Sequence, residues 1–193
     1  MDLRGKKIIL ASNSPRRKEL LSAMDIDFTV DTGTSFVESY SPDTPHVEVP
    51  ALMAKGKSHG FHRPLERDEI LVTSDTMVLC DKEILGKPSD RADAVRMLKL
   101  LSGRSHQVIT AVTIRDWQKE NTFSVTSNVF FKDLSDSEID YYIDNYKPFD
   151  KAGAYGIQEW IGYIGIIGIE GSFYNVMGFP AQRFYEELKS FLG

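Results

Sequence analysis

The sequence predicts a mixed α/β fold, because short apolar runs typical of strands alternate with segments whose apolar residues repeat at helical spacing. Of the 193 residues, 41% are hydrophobic and 26% are charged, which is ordinary for a globular domain and excludes collagen-like, coiled-coil and disordered chains. No repeat, low-complexity tract or long linker divides the chain. This length allows one large domain or two small lobes around a buried core.

In the first half of the chain, proline and small polar residues separate the predicted elements. Residues 8–11 form a short apolar strand, and Ser14 followed by Pro15 opens a helix through about Met24. The remaining elements predicted here are a strand at 28–30, a turn-rich loop at 32–49, a helix at 50–59 and a strand at 70–80.

The second half continues the alternation. Ser89 or Asp90 caps a helix in which apolar residues recur at helical spacing through Leu101. Four glycines spaced by three, at positions 162–171, are interpreted as strand and turn packing. The other predicted elements are a hairpin of strands at 108–114 and 122–131, a helix at 135–146 and a terminal helix at 180–192.

Charge and composition exclude several classes of function. The chain has 23 Lys and Arg against 28 Asp and Glu, so its net charge of −5 argues against broad nucleic-acid binding. One cysteine, Cys80, allows no intramolecular disulfide and no multi-thiolate metal site. No apolar run is long enough for a signal-peptide core or a membrane span. We therefore expect a soluble cytoplasmic protein that binds neither nucleic acid nor a membrane.

Three consecutive cations open the first predicted helix. Arg16, Arg17 and Lys18 follow Pro15 directly, where the positive end of the helix dipole already disfavours cations. The exposed backbone N–H groups of a helix N-terminus suit phosphate oxygens. The segment is therefore either an anion-binding turn or a solvated basic turn, and the local sequence leaves both open.

A single carboxylate interrupts the apolar strand at 70–80. A buried carboxylate is costly in free energy unless it is paired, bound to a metal or exposed at the end of the strand. Asp75 is therefore a candidate metal ligand or general base, and the alternative is a carboxylate that accepts hydrogen bonds from Ser74 and Thr76.

Two further segments have the composition of ligand-binding loops. Gly86 and Pro88 bracket Lys87, although the spacing is not that of a P-loop and a plain turn is the alternative. In the glycine-rich stretch at 151–158, Gln158 offers a donor and an acceptor suited to the edge of a nucleobase. The alternative for this stretch is a structural turn.

Taken in order, these segments resemble the signatures of the Maf family of nucleoside triphosphate pyrophosphatases, and the resemblance covers nearly the whole chain. The matching blocks are LASNSPRRKELL at 10–21, SDTMV at 74–78, GKP at 86–88, LLSGRSH at 100–106, KAGAYGIQ at 151–158, EGS at 170–172 and GFP at 178–180.

The resemblance implies a fold and a reaction. The fold is an α/β, inosine triphosphatase-like (Maf-like) domain in which a curved mixed sheet with helices separates two lobes around a cleft, here a single domain over residues 1–193. The reaction is hydrolysis of a nucleoside triphosphate between the α and β phosphates with a divalent cation, Mg²⁺ or Mn²⁺. The stretch at 155–158 is similar to the subgroup that acts on dTTP and UTP, and the family suggests a homodimer.

The resemblance also implies roles for individual residues. The implied catalytic residues are Asp75, as proton acceptor, and Lys87. The implied substrate contacts are Ser12, Arg16, Arg17, Lys57, Thr76 and Gln158, and the implied metal ligands are Glu38 and Asp75. In this assignment Arg16, Thr76 and Gln158 select the substrate, while Arg17, Lys57 and Lys87 line the triphosphate site. Such a local cluster of cations is needed because a chain of net charge −5 repels a triphosphate.

Two alternatives remain at the level of the sequence. Because the family is associated with inhibition of septum formation, the chain could be a nucleotide-binding regulator of cell division with little turnover. It could also be a family member specific for 7-methyl-GTP or another modified nucleotide. A pure binder has no need for a carboxylate beside the phosphates, so the intact set of Asp75, Lys57 and Lys87 favours the enzyme.

Overall fold

The computed structural model describes residues 2–193, and in this part of the chain helices alternate with strands as predicted. The strands are β1 (Lys7–Leu10), β2 (Phe28–Val30), β3 (Glu69–Cys80), β4 (Glu83–Leu85), β5 (Ser105–Arg115), β6 (Glu120–Phe131) and β7 (Ile166–Glu170). The α-helices are α1 (Pro15–Ala23), α2 (Val49–His59), α3 (Arg91–Leu101), α4 (Asp136–Tyr146), α5 (Trp160–Gly165), α6 (Phe173–Val176) and α7 (Ala181–Leu192).

The strands form a mixed sheet in the order β2-β1-β3-β5-β6-β7, with β4 paired to β3 outside this path. Strand β1 pairs in parallel with both β2 and β3, whereas β4 is antiparallel to β3 and β7 is antiparallel to β6. The predicted mixed α/β class is therefore confirmed. None of the helices described in residues 2–193 is long and apolar enough to cross a membrane.

Contacts divide the chain into two compact units. The first unit comprises Met1–Asp75, Thr110–Val125 and Gly178–Gly193, and the second comprises Thr76–Ile109 and Thr126–Met177. The division falls within β3, β5 and β6, so these strands contribute residues to both units. The expectation of a single domain with two lobes stays a prediction.

Helix starts follow the local sequence signals. Of the two predicted caps of α3, Asp90 is the one used, since its side chain accepts a hydrogen bond of 2.8 Å from the N–H of Asp93. At α4, Ser135 and Glu138 form a capping box. Ser14 occupies the N-cap position of α1 ahead of Pro15, but its side chain makes no capping hydrogen bond. The first turn of α1 holds no acidic residue.

The glycine-spaced segment differs from its prediction. Strand β7 is present, but the residues before it form α5, which the sequence analysis missed because glycine is a poor helix former. Gly162 is required there by close packing: a Cβ atom at this position would lie 1.9 Å from the backbone oxygen of Ile157. A short-range contact of this kind leaves no periodic signal in the sequence.

Strand β3, inside the sheet, contains the partly exposed polar residues of the candidate site. Along β3, residues 70–74 and 77–80 are buried, and only Asp75 and Thr76 inside the strand are partly exposed. The strand is thus buried on both sides of one partly exposed polar step, and the candidate site is built around that step.

Candidate active site

In the first unit, α2 packs beside the face of β3 that carries Thr73 and Asp75. These two residues share a face because side chains alternate along a strand. The hydroxyl of Thr73 donates a hydrogen bond of 2.7 Å to the carbonyl oxygen of Ala54, and Nζ of Lys57 lies 2.6 Å from Oδ1 of Asp75. The two contacts lie two residues apart on the strand and three residues apart on the helix. This match places the Lys57 ammonium against the Asp75 carboxylate.

The end of α2 is held by an arginine from β5. Arg115 donates from Nη2 to the carbonyl oxygen of Ser58 at 2.6 Å and from Nε to the hydroxyl of the same serine at 2.8 Å. The contact adds a side-chain donor to a carbonyl in the last turn of the helix, where the regular intrahelical hydrogen bonds end. It fixes the turn of α2 that contains Lys57.

The polar loop before α2 brings a second carboxylate to the same lysine. The Phe36 ring lies against Gly56, where an added Cβ atom would come within 2.3 Å of the ring, so only glycine allows this approach. The N–H of Ser35 also donates to the carbonyl oxygen of Gly60 at 2.8 Å. With the loop anchored there, Oε1 of Glu38 lies 2.8 Å from Nζ of Lys57.

Glu38, Lys57 and Asp75 therefore form one ionic group, the carboxylate–lysine triad. The Asp75 and Lys57 side chains are 20% and 21% exposed, whereas Glu38 is 61% exposed. Two carboxylates around one ammonium leave a net negative charge at the place where the sequence analysis predicted metal ligands. This arrangement confirms that Asp75 is paired, which is one of the ways in which a buried carboxylate is tolerated.

The donor set of the triad fits a hard divalent cation. Mg²⁺ binds through one or two carboxylates together with substrate phosphates, and Glu38 and Asp75 supply two carboxylates around one point. Among residues 2–193, no cluster of three or more His, Cys, Asp or Glu side chains is placed to hold a metal ion. The triad alone is thus an incomplete metal site, and the phosphates of a substrate would have to complete it.

The turn between β1 and α1 lies next to β3 because β1 and β3 are parallel. Leu10 pairs with Val72, and the N–H of Ala11 donates to the carbonyl oxygen of Val72 at 2.9 Å. The carboxyl ends of parallel strands lie at the same edge of a sheet. Because β1 ends opposite Val72, Ser12 and the start of α1 lie near the central part of β3 that bears Asp75.

Arg17 is held by groups of the protein itself. Its guanidinium donates to the carbonyl oxygens of Ser74 at 2.9 Å and Gly178 at 3.0 Å, and to the hydroxyl of Ser12 at 3.4 Å. Burial lowers the pKa of Arg17 to about 10, and this is only partly offset by the nearby Asp75 carboxylate. Arg17 is thus a partly buried cation that ties α1 to the strand beside Asp75.

The other two cations of this turn lie next to Arg17 in the chain. Arg16 and Lys18 are partly buried, as Arg17 is, and the charge of Arg16 contributes to lowering the pKa of Arg17. Ser12 is buried, and its hydroxyl also accepts a hydrogen bond of 3.2 Å from the N–H of Ser14. The predicted cationic turn is therefore present beside the triad.

Three of the predicted site residues belong to the second unit. Thr76 is partly exposed on β3, Lys87 is exposed two residues after the end of β4, and Gln158 is exposed at the end of the glycine-rich stretch. The carbonyl oxygen of Gly86 accepts a hydrogen bond of 3.0 Å from the N–H of Gly153, so the turn that bears Lys87 contacts the loop that bears Gln158.

The sequence analysis missed a group of polar residues around that loop. Lys151, Glu159 and Tyr142 form a partly buried ionic and hydrogen-bonded cluster in the second unit. Lys151 belongs to the family block at 151–158, and its local sequence resembles that of any surface lysine. Tyr142 lies on α4, and its partnership with Glu159 has no sequence signal.

A mixed α/β sheet with carboxylates and cations beside one strand is typical of enzymes that bind phosphate groups with a divalent cation. The family model described as "Maf-like protein" matches residues 7–191 of the chain. The protein therefore belongs to the Maf family, as its sequence motifs predicted.

Two relatives illustrate how close the similarity is. The chain is 51% identical over 190 residues to a protein of Parabacteroides distasonis named dTTP/UTP pyrophosphatase, which covers 98% of both chains. It is 50% identical over 192 residues to a protein of the same name from Porphyromonas gingivalis, which covers 98% of this chain and 96% of the relative.

Among solved structures, a HAM1 protein from Coxiella burnetii matches 96% of this chain and 99% of its own. The TM-score is 0.48 at 14% identity, and the family assignment does not depend on this match.

Proposed function

We propose that the protein is a nucleoside triphosphate pyrophosphatase that hydrolyses dTTP and UTP. Water is added across the anhydride bond between the α and β phosphates, which gives the nucleoside monophosphate and pyrophosphate. The observation that carries the proposal is the carboxylate–lysine triad beside a cationic helix start, in a chain about half identical to relatives named dTTP/UTP pyrophosphatase. The proposal includes removal of unwanted nucleotides from the pool, so we place the enzyme in the cytoplasm.

Asp75 is proposed to accept the proton of the attacking water. Its Oδ1 is held by Lys57 at 2.6 Å, which orients the carboxylate for a role as general base. Pyrophosphate leaves as an anion, so cations near the β and γ phosphates lower the barrier. We assign this role to Arg16, Lys57 and Lys87. Ser12 and Arg17 are proposed to support the phosphate contacts, Arg17 through the backbone of Ser74.

Glu38 and Asp75 are proposed to hold Mg²⁺ or Mn²⁺ together with the substrate phosphates. The cation would lower the pKa of a bound water and offset charge on the α-phosphate. Lys57 already occupies the point between the two carboxylates, so the ammonium and the cation compete for the same oxygens. A divalent cation delivered with the triphosphate has the advantage of bringing its own phosphate ligands.

Base selection is assigned to Thr76 and Gln158. A uracil or thymine edge presents a carbonyl acceptor next to an N–H donor, and the amide of Gln158 can meet both at once. Gln158 lies exposed at the end of its loop, where it is accessible to a ligand. Guanine and adenine present different patterns and a larger ring system.

A pyrophosphate-release screen tests the proposal. The protein is incubated with the four canonical ribonucleotides, their deoxy forms and 7-methyl-GTP, with Mg²⁺ or Mn²⁺, and both products are identified. The proposal expects dTMP and UMP with one pyrophosphate per turnover, and release of orthophosphate instead would overturn it. Tight nucleotide binding without turnover would support the regulator of septum formation, and preference for 7-methyl-GTP would assign the other specificity.

A homodimer is proposed on the resemblance to the family. Strand β7 ends the strand order, and near it Tyr163 and Ile167 are 81% and 71% exposed. Exposed apolar side chains beside a sheet edge are a common feature of protein interfaces. Light scattering of the purified protein at several concentrations measures the mass, and a monomer at all of them would refute the dimer.

A further inference from the structure

The loop at residues 151–159, here called the Gln158 loop, is closed by an ion pair between its two ends. Nζ of Lys151 lies 3.0 Å from Oε1 of Glu159, and it also contacts Oδ1 of Asp150 at 2.7 Å. The Lys151 side chain is only 10% exposed and that of Glu159 is 25% exposed. A lysine this buried is expensive unless it is paired, so the ion pair gives the loop one favoured conformation.

Tyr142 joins the ion pair to the middle of the loop. Its hydroxyl donates to Oε2 of Glu159 and accepts a hydrogen bond of 2.9 Å from the N–H of Gly156. The Tyr142 ring is fully buried in the second unit, and burial together with the Glu159 carboxylate raises the pKa of the phenol. One rigid side chain therefore fixes both the carboxylate at the end of the loop and a backbone amide two residues before Gln158.

The packing around Gly156 leaves little freedom. An added Cβ atom there would lie 2.9 Å from Cδ of Glu159 and 3.0 Å from Cε of Lys151, so the backbone runs directly against the ion pair. At the preceding residue, Oη of Tyr155 is 2.7 Å from Nε2 of the buried His106. Gln158 is thus an exposed side chain on a loop whose other residues are held from inside.

The same loop supports the turn that carries Lys87. The N–H of Gly153 donates to the carbonyl oxygen of Gly86 at 3.0 Å. An added Cβ atom on Gly153 would lie 3.1 Å from the methyl groups of Val78, so strand β3 also packs against this point. A change that loosens the Gln158 loop therefore reaches Lys87 as well.

We propose that Lys151, Glu159 and Tyr142 form a clamp that positions Gln158 and thereby sets the discrimination between nucleobases. This inference rests on the proposed function, in which Gln158 reads the base. The three residues are positioning residues: they act on the substrate through the loop they hold. A hydrogen-bonding side chain discriminates only when its donor and acceptor are held in place, because a mobile amide can adapt to a wrong base.

The test uses three variants of the clamp in the full chain. Tyr142→Phe removes only the hydroxyl, Glu159→Gln keeps the shape of the side chain and removes its charge, and Lys151→Met removes the ammonium. Lys99→Met is the matched control, because it removes an exposed ion pair with Asp136 that lies outside the loop. Lys151→Arg keeps the charge, and this conservative variant is expected to retain part of the selectivity that Lys151→Met loses.

Two readouts separate positioning from general stability. The first is the ratio of kcat/KM for dTTP to that for GTP, which should fall by about fivefold or more in Tyr142→Phe and Lys151→Met. The kcat/KM for GTP should fall by a smaller factor, because GTP shares any loss at Lys87 but makes no matched contact with Gln158. The second is the rate of amide hydrogen exchange at Gly156 in the free protein. This rate should rise, because Tyr142→Phe removes the oxygen that accepts a hydrogen bond from this N–H and Lys151→Met weakens the cluster that holds that oxygen in place. The control should change neither.

Each outcome bears on the proposal. Variants that lose thermal stability but keep the wild-type ratio would overturn it and leave the cluster a purely structural role. Faster exchange at Gly156 with an unchanged ratio would overturn it in the same way. If Lys151→Met fails to fold, Tyr142→Phe decides. Wild-type protein that shows no preference for dTTP over GTP would instead refute the proposed function, which is measured first and independently.

Discussion

Nζ of Lys57 lies 2.6 Å from Oδ1 of Asp75 and 2.8 Å from Oε1 of Glu38, so one ammonium joins a carboxylate of the sheet to a carboxylate of a loop. The two acids are 37 positions apart in the chain. Their meeting point explains how a strand that is otherwise buried tolerates a carboxylate at its centre. It also makes Lys57 the residue through which both acids can be perturbed.

Asp75→Asn should remove most of the turnover while the fold is retained. The amide is nearly isosteric, but it can neither accept a proton as a base nor ligate a cation as an anion. We expect kcat to fall by about a hundredfold or more. Glu69→Gln on the same strand is the control, since it removes a carboxylate paired with Arg63 at 2.7 Å away from the triad. Turnover of Asp75→Asn within about tenfold of wild type would contradict the assigned role.

Lys57→Met should increase the affinity of the two remaining carboxylates of the triad for a divalent cation. Without the ammonium, Glu38 and Asp75 repel each other, and the affinity of the free protein for Mn²⁺ should rise by roughly tenfold or more. Electron paramagnetic resonance of free Mn²⁺ measures this binding in the absence of substrate, and turnover should fall at the same time.

The control for Lys57→Met is Lys55→Met on the same helix, which removes a contact of 3.2 Å with Glu120. This variant should leave both Mn²⁺ binding and turnover near wild type. Unchanged Mn²⁺ affinity in Lys57→Met would mean that the two carboxylates do not form a cation site.

Arg17→Lys should lower stability, because a lysine cannot reproduce the forked contacts with the carbonyls of Ser74 and Gly178. We expect a loss of about 2–4 kcal/mol in the free energy of unfolding, since partly buried carbonyl groups are left without donors. Urea denaturation measures the change, with Lys18→Ala in the same helix as the control. A stability equal to wild type, together with a raised KM, would show that Arg17 serves the ligand and not the fold.

Gln158→Ala should flatten the preference among nucleotides. Loss of a matched donor–acceptor pair should cost dTTP and UTP about 1–3 kcal/mol in kcat/KM, whereas dCTP and GTP, which lack that pair, should lose much less. The dependence on Mg²⁺ should not change. Gln182→Ala, exposed on α7, is the control. A uniform drop over all four nucleotides would return Gln158 to a structural role in its loop.

His106 should make stability depend on pH in the acidic range. Burial lowers the pKa of His106 from 6.5 to about 4, so between these values the unfolded chain holds a proton on this ring that the folded protein does not. Unfolding then takes up a proton, and the free energy of unfolding falls as the pH is lowered through this window. The contribution of this one group is about 3 kcal/mol at most.

His106→Gln should therefore weaken the loss of stability between pH 6.5 and 4, while His46→Gln in the loop before α2 serves as the control. Denaturant titrations at several pH values measure the slope for each variant. If His106→Gln has the same slope as wild type, the ring is not excluded from protonation in the folded state.

Local signals in the sequence determined most of the helices and the caps of two of them. The apolar periodicity, Pro15 at the start of α1, and the caps at Asp90 and Ser135 predicted helices whose bounds agree with the structure to within about two residues. These features depend on neighbours a few positions away, so the sequence alone suffices for them. The ordered family blocks likewise identified the candidate site residues before any geometry was known.

The tertiary structure decided which of these residues act on one another. Lys57 was expected to contact a triphosphate, and the register of α2 on β3 places it between Asp75 and Glu38. Arg17 was grouped with the phosphate-binding cations, and its guanidinium bonds to backbone carbonyls from two other segments. Tyr142 reaches Glu159 and Gly156 from a different helix. Contacts between residues far apart in the chain depend on how the strands and helices pack, and no local pattern of residues encodes that packing.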